Sequence, residues 1–193
     1  MIQAPFTLHK FIVKKISKEI KIAKNGGRGR IIARMNSLVD PSVVNALYSA
    51  SKAGVQIDLI VRGICCLRPG LEGVSENINV YSIIGRFLEH NRVYYFENHT
   101  DNNSTAQKVF ISSADWMPRN LRNRIELCTP ITDETIKSTI INDLHLYLKD
   151  NSNSWFMQSD GHYAQSFNHD GEEKPISAQN NLLTLLAETA ETL

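Results

Sequence analysis

Residues 30–61 constrain the fold more than any other stretch of this chain. Arg30-Ile31-Ile32-Ala33-Arg34-Met35 is a short run rich in branched apolar residues, the composition of a buried strand. Asp40-Pro41 then carries a helix-start signature: a side chain able to accept an orphan backbone N–H, followed by proline at the first helical position. Val44, Leu47, Tyr48 and Ala50 recur at helical spacing up to Gly54, and Ile57-Asp58-Leu59-Ile60-Val61 predicts a second strand. A strand, a helix and a strand at these lengths make a parallel pair joined by a crossover, so the chain reads as α/β.

The remaining segments fit around that unit. Leu8, Ile12, Ile16, Ile20 and Ala23 predict an amphipathic helix over residues 8–24, with six lysines on its other faces and Gly26-Gly27 to stop it. Residues 64–77, punctuated by Pro69, Gly70 and Gly73, read as a loop leaving the C-terminal end of a parallel strand, the place where open α/β sheets bind ligands. Further strands are predicted at 78–83, 93–97, 108–112 and 124–128, with a polar hairpin connection over 98–107. Ile136, Ile140, Leu144 and Leu148 predict a helix over 133–149. Beyond Asp150 the periodicity fades, although Trp155, Phe156, Tyr163 and Phe167 suggest an arm packed back on the domain, and a short helix at about 177–190 ends the chain. Residues 1–175 are expected to form one domain, and 176–193 a helical tail.

At 193 residues the chain is long enough to bury a core without staples. Its three cysteines, Cys65, Cys66 and Cys128, include no C-x-x-C pair, which argues against a disulfide framework or a cysteine zinc site and fits a reducing cytoplasm. The sequence has no apolar run near the ~20 residues of a membrane helix, and Met1-Ile2-Gln3-Ala4-Pro5 lacks a signal-peptide pattern. The net charge of +1 conceals an ordered distribution: residues 1–30 are strongly basic and residues 127–193 strongly acidic. Between Arg62 and Arg124 there are seven arginines and only one lysine, Lys108. Arginine grips phosphate or carboxylate with a planar fork and keeps its charge when desolvated, so the centre of the chain looks built for an oxyanion.

The densest cluster of reactive residue types is Phe87-Leu88-Glu89-His90-Asn91-Arg92-Val93-Tyr94-Tyr95-Phe96-Glu97. An imidazole beside a fixed cation suits phosphoryl chemistry, the ring giving or taking a proton while the cation holds phosphate oxygens. If residues 90–92 are extended, His90 and Arg92 point to the same side, and Glu97 lies five beyond. Ser112-Ser113-Ala114-Asp115-Trp116 and Asn123-Arg124-Ile125-Glu126 follow. Arg124 reads as a strand residue able either to reach the same anion or to pair with Glu126; Arg92 has the same ambiguity with Glu89 or Glu97. Asp115 with Trp116 reads as a strand-end turn and core anchor rather than an acid catalyst, and Cys65-Cys66 as a loop-shaping pair.

The order H-x-R-x4-E, then S-S-A-D, then N-R-I-E resembles the phospholipase D superfamily pattern H-x-K-x4-D, G-S-x-N and N-x-E, with Arg for Lys and Glu for Asp. The strings IIARMNSLVD (31–40), GVQIDLIVRGICCLRPG (54–70), SIIGRFLEHNRVYYFEN (82–98), FISSADWMPRNLRNRIE (110–126) and TPITD (129–133) resemble, more closely, the C-terminal catalytic portion of bacterial polyphosphate kinase. That resemblance implies a phospholipase-D-like domain with a mixed β-sheet flanked by helices, the second of two such domains in the family.

The resemblance also implies an activity: reversible transfer of the terminal phosphate of ATP to polyphosphate, with Mg²⁺, through a phosphohistidine located in the other phospholipase-D-like domain. His90 would correspond to the family's second histidine, a nucleotide contact and candidate general acid, and Arg62 in V-R-G to an ATP-contacting arginine. Arg124 is a further candidate phosphate ligand. The Mg²⁺ ligands would belong to the half not matched here, leaving no metal site in this chain. Implied partners are ATP and ADP, inorganic polyphosphate, the remaining kinase domains and a second copy in a homo-oligomer. The implied location is the cytoplasm, with peripheral membrane association as an alternative. By this reading the 193 residues alone are inactive in synthesis. Two other readings stand beside it: a homodimeric phospholipase-D-like phosphodiesterase or nuclease, and a non-catalytic polyanion-binding fragment.

Overall fold

A computed structural model of the chain describes residues 2–99, 107–165 and 174–190. The strands are β1 (Ile2–Ala4), β2 (Arg30–Met35), β3 (Gln56–Val61), β4 (Ile78–Ile83), β5 (Arg92–Phe96), β6 (Lys108–Ser112), β7 (Glu126–Ile131), β8 (Ser154–Met157) and β9 (Tyr163–Gln165). The helices are α1 (Leu8–Lys24), α2 (Pro41–Lys52), α3 (Glu134–Leu148) and α4 (Ala178–Ala190). The strands form one sheet in the order β1-β7-β6-β5-β2-β3-β4-β8-β9. Pairs β2/β3 and β3/β4 are parallel and the others antiparallel, so the sheet is mixed, as expected.

The β2-α2-β3 unit forms as its sequence dictates. The Asp40 side chain accepts from the backbone N–H groups of Ser42 and Val43, both at 3.1 Å, with Pro41 at the first helical position. Gly54 closes the helix with φ of 88°, a conformation that costs glycine nothing. Strand β2 is apolar on both sides because both faces of the sheet are covered. Ile31, Ala33 and Met35 meet α1 and α2 through Leu8, Ile12, Ile16, Val43 and Leu47. Ile32 points the other way, into a second core with Leu144 and Tyr147 of α3 and Ala178 of α4.

Several elements differ from their expected bounds. The strand expected at 124–128 begins two residues later, because Arg119–Asn123 forms a single π-helical turn with Arg124 as its extended cap. Helix α3 keeps most of its expected face, with Leu144 buried and Ile140 and Leu148 packed against the same core; Ile136 departs from it at 54 % exposed, and Lys137 and Tyr147 are buried as well. The arm beyond Asp150 folds back as β8 and β9, which extend the sheet past β4. Strand β1 has too few residues to show a periodicity; it pairs antiparallel with β7 and buries Ala4 in the main core. Most of the connection expected at 98–107, and Phe167, lie outside the described residues.

The strand directions decide where chemistry can gather. The C-terminal ends of β2, β3, β4 and β6 and the N-terminal ends of β5 and β7 share one edge of the sheet. Asn36, Arg62, Arg92 and Asp115 all leave their strands at that edge.

Candidate functional site

At this edge three arginines have three different situations. Arg34, on β2, points into the α3 side, where its guanidinium lies 3.7 Å from the centre of the Tyr147 ring and pairs with Glu89 at 2.6 Å. Arg92, the first residue of β5, makes a two-point contact with the buried Asp115. Arg62, immediately after β3, has no carboxylate within 4.0 Å among the described residues. Its Nε donates to the carbonyl oxygen of Glu89 at 2.8 Å, and its Nη2 lies 3.4 Å from Nδ1 of His90. A guanidinium can only donate, so Nδ1 is the acceptor and the ring proton is assigned to the exposed Nε2.

His90 is not on a strand. It sits in the loop over residues 84–91, just before β5, and its tie to Arg92 runs through backbone: Nη1 of Arg92 donates to the His90 carbonyl at 2.5 Å. The expected same-side pairing of the two side chains on one strand is therefore replaced by a cation that holds the histidine's own carbonyl. Asp115 supports both, since its Oδ1 also accepts from the backbone N–H groups of Asn36 and Ser37 at 2.7 and 3.2 Å. This carboxylate is fully occupied in structure, as expected of a strand-end anchor.

Neither of the partners weighed for Arg92 is its partner. Glu97 lies at the opposite edge of the sheet, paired with Arg28. Glu89 collects Arg34, the phenol of Tyr147 and Nε2 of Gln179 at 2.8 Å. Burial alone would push the Glu89 carboxyl up, but the hydrogen bonds from Arg34 and Tyr147 outweigh it and hold the group below its ordinary range. Glu126 does not pair with Arg124; buried, it accepts from Ser113 Oγ at 2.5 Å and Asn120 Nδ2 at 2.6 Å.

Arg124 is exposed and lies at the same edge, but three strands lie between β7 and β3, four spacings or about 19 Å at a usual strand spacing of ~4.8 Å. The structure thus brings Arg62 and His90 together and leaves Arg124 along the rim. Cys65 is half-buried, with its thiol pushed up to about 11 by burial. Its neighbours pair around Leu38: the Leu38 N–H donates to Ile64 and the Leu38 carbonyl accepts from Cys66, which fits a loop-shaping role. Arg34, Tyr147 and Gln179 were missed as site residues. Only Arg34 left a signal, a cation inside the apolar run Arg30–Met35.

A narrow cleft of about 20 Å³ runs between Arg34, Asn36, Arg62, Phe87, Glu89 and Asn91, room for roughly one water. Among the described residues no group of three or more His, Cys, Asp or Glu side chains is placed to hold a metal ion. Asp115 and Glu89 are already committed to arginines. This edge therefore does not fit a Mg²⁺ site.

The description "Polyphosphate kinase C-terminal domain 2" matches residues 1–179 of the chain. The chain belongs to the polyphosphate kinase family. It is 53 % identical over 185 residues to a polyphosphate kinase of Neisseria meningitidis, covering 95 % of this chain and 26 % of that one. It is 49 % identical over 187 residues to one of Pseudomonas aeruginosa, covering 97 % and 26 %. The chain thus spans about a quarter of the length of these polyphosphate kinases. The crystal structure of polyphosphate kinase from Porphyromonas gingivalis superposes with a TM-score of 0.90 at 41 % identity, over 100 % of this chain and 28 % of that one. A phospholipase D family member, Nuc from Salmonella typhimurium, gives a TM-score of 0.57 at 13 % identity over 82 % of this chain and 96 % of that one, a likeness of fold alone.

Proposed function

We propose that this chain acts as the C-terminal phospholipase-D-like portion of a polyphosphate kinase, ATP + polyphosphate(n) = ADP + polyphosphate(n+1), and that Arg62 and His90 meet the phosphates of ATP. The observation that carries this is Arg62 itself. It is fixed through Nε on the Glu89 carbonyl, adjoins His90 and lacks a carboxylate partner among the described residues, unlike Arg34 and Arg92. A positioned, unneutralised guanidinium favours charge on transferring phosphoryl oxygens. His90 is the general acid in this reading: starting protonated on both nitrogens, it passes the Nε2 proton to the oxygen that leaves as the terminal phosphoryl group moves to its acceptor, and the ring returns to the neutral form in which Nδ1 accepts from Arg62. Arg92 and Asp115 hold the backbone beneath that ring. Arg124, further along the rim, serves as a flanking cation for the longer polyphosphate chain.

The residues here do not fit Mg²⁺, which is assigned to the remaining kinase domains together with the phosphorylated histidine. We read residues 1–175 as one unit and 176–193 as its helical tail, in a cytoplasmic protein that works as a homo-oligomer and is inactive in synthesis as an isolated chain. Among the described residues no helix is long and apolar enough to cross a membrane.

Calorimetric titration of this chain with ATP and with tripolyphosphate tests the reading. Binding of both is expected, weakened at least about tenfold in Arg62→Ala, equivalent to about 1.4 kcal/mol of lost charge-assisted contact. Absence of binding by the parent chain, or binding unchanged in Arg62→Ala, overturns the assignment.

A further inference from the structure

The loop over residues 84–91, which carries His90 and the carbonyl that fixes Arg62, buries little of its own side-chain surface. Ile84 is 64 % exposed, Phe87 44 % and Leu88 70 %. Its conformation therefore depends on polar ties from outside, and one of these comes from the far end of the sequence. Gln179, the second residue of α4, is 4 % exposed and uses its whole amide on this loop. Its Oε1 accepts from the Phe87 N–H at 2.8 Å, and its Nε2 donates to the Phe87 carbonyl at 2.9 Å and to Oε2 of Glu89 at 2.8 Å. Both donors and the acceptor are thereby satisfied. The side-chain amide meets Phe87 on both its N–H and its C=O, as the peptide group of a neighbouring strand would.

Two further observations make this a fixed fit. The start of α4 is anchored from below, since Oδ2 of Asp150 accepts from the Ala178 N–H at 2.7 Å and Ala178 is fully buried. At Gly85, an added Cβ would stand 2.5 Å from Oε1 and 3.0 Å from Cδ of Gln179, so the loop approaches the amide more closely than any residue with a side chain allows. Glu89, which receives the same amide, is held in turn by Arg34 and Tyr147.

We infer that Gln179 is a positioning residue for the site: with Gly85 it clamps the 84–91 loop so that the Glu89 carbonyl meets Arg62 and His90 faces the anion. The inference rests on the reading of Arg62 and His90 as phosphate ligands, but its primary readouts do not. In the full chain, Gln179→Ala removes the amide and Gly85→Ala forces a methyl group against it. Each is expected to speed hydrogen exchange at the Phe87 amide at least about tenfold, the loss of one such bond. Each should shift the ring-proton NMR signals of His90 and weaken ATP binding by about tenfold. In the Gln179→Ala background, Gly85→Ala should add nothing, because the group it strikes is gone.

If the Phe87 exchange and the His90 signals match the parent in both variants, the inference is overturned. Should Gln179→Ala fail to fold, Gly85→Ala decides by the same two signals. Absence of ATP binding by the parent chain counts against the nucleotide reading, while the Phe87 and His90 signals still decide the role of Gln179.

Discussion

Arg92 closes on Asp115 at two points, Nε to Oδ1 at 3.2 Å and Nη2 to Oδ2 at 3.1 Å, joining the start of β5 to the end of β6. Both groups are largely shielded from water, and Asp115 also satisfies two backbone N–H groups after β2. Three strands are thus tied at the edge where His90 sits. Removing the carboxylate leaves the Arg92 cation without its counter-charge and two backbone amides without an acceptor. Asp115→Ala is expected to destabilise the chain by about 3–5 kcal/mol, with a smaller loss in Asp115→Asn, which keeps an acceptor for the amides. Urea denaturation of the two variants measures this; equal stability of Asp115→Ala and the parent would remove the pair from the account.

Gly63 follows Arg62, and its N–H donates to the Asn36 carbonyl at 2.8 Å. A Cβ there would also stand 2.8 Å from that same oxygen, a backbone atom that cannot swing aside. Gly63→Ala must therefore separate the ends of β2 and β3 and carry Arg62 with them. The expected result is a loss of about 1–3 kcal/mol in stability together with weaker ATP binding than the parent's. Calorimetry on a folded Gly63→Ala sample tests the second part, and parent-like affinity would refute it.

Glu19 of α1 is buried and accepts from the backbone N–H groups of Arg30 and Asn98 at 3.1 and 2.9 Å. Burial, with a contribution from the nearby charge of Glu97, raises its carboxyl to about 7 despite those two bonds. The folded chain thus keeps this proton over a range in which the unfolded chain has lost it. The associated stability is fully present below about pH 4.5 and falls as pH rises to about 7, by at most about 3 kcal/mol. Glu19→Gln should flatten the pH dependence of the denaturation midpoint in that window; an unchanged slope would assign it to other groups.

The three cysteines differ in access. Burial pushes Cys65 up to about 11 and Cys128 up to about 12, whereas Cys66 is exposed. A thiolate-specific reagent at pH 7.5 should therefore label one equivalent quickly, and Cys66→Ser should abolish that phase. Rapid labelling of Cys65 as well in the folded chain would show that the loop after β3 opens.

How much could be read ahead of the fold depended on how far apart the interacting residues lie in the chain. The β2-α2-β3 unit was legible because Asp40, Pro41 and Gly54 are local instructions, and each is used as its chemistry suggests. Arg62 and His90 were legible through their motif and do meet. The partners of Arg92 and Glu126 were misjudged because near neighbours in sequence were weighed. Arg92 takes Asp115, and Glu126 takes Ser113 and Asn120. Arg124–Cys128 reads as a strand in sequence, but the preceding π-helical turn delays the strand to Glu126.

By itself the sequence determined the central unit of this protein: apolar periodicity and helix-start chemistry need only a few adjacent residues, and they set that β2 and β3 run parallel and which loop leaves their ends. Only the tertiary structure decided that Arg34 and Arg92 are paired with carboxylates while Arg62 is not. Each of the carboxylates at this edge can pair with any cation that packing brings within reach. That choice depends on the sheet order and on α3 and α4 closing over Arg34 and Glu89. Gln179 marks the difference most clearly: an ordinary polar residue on a short helix, it becomes a clamp only because the fold returns it to Phe87, 92 positions earlier in the chain.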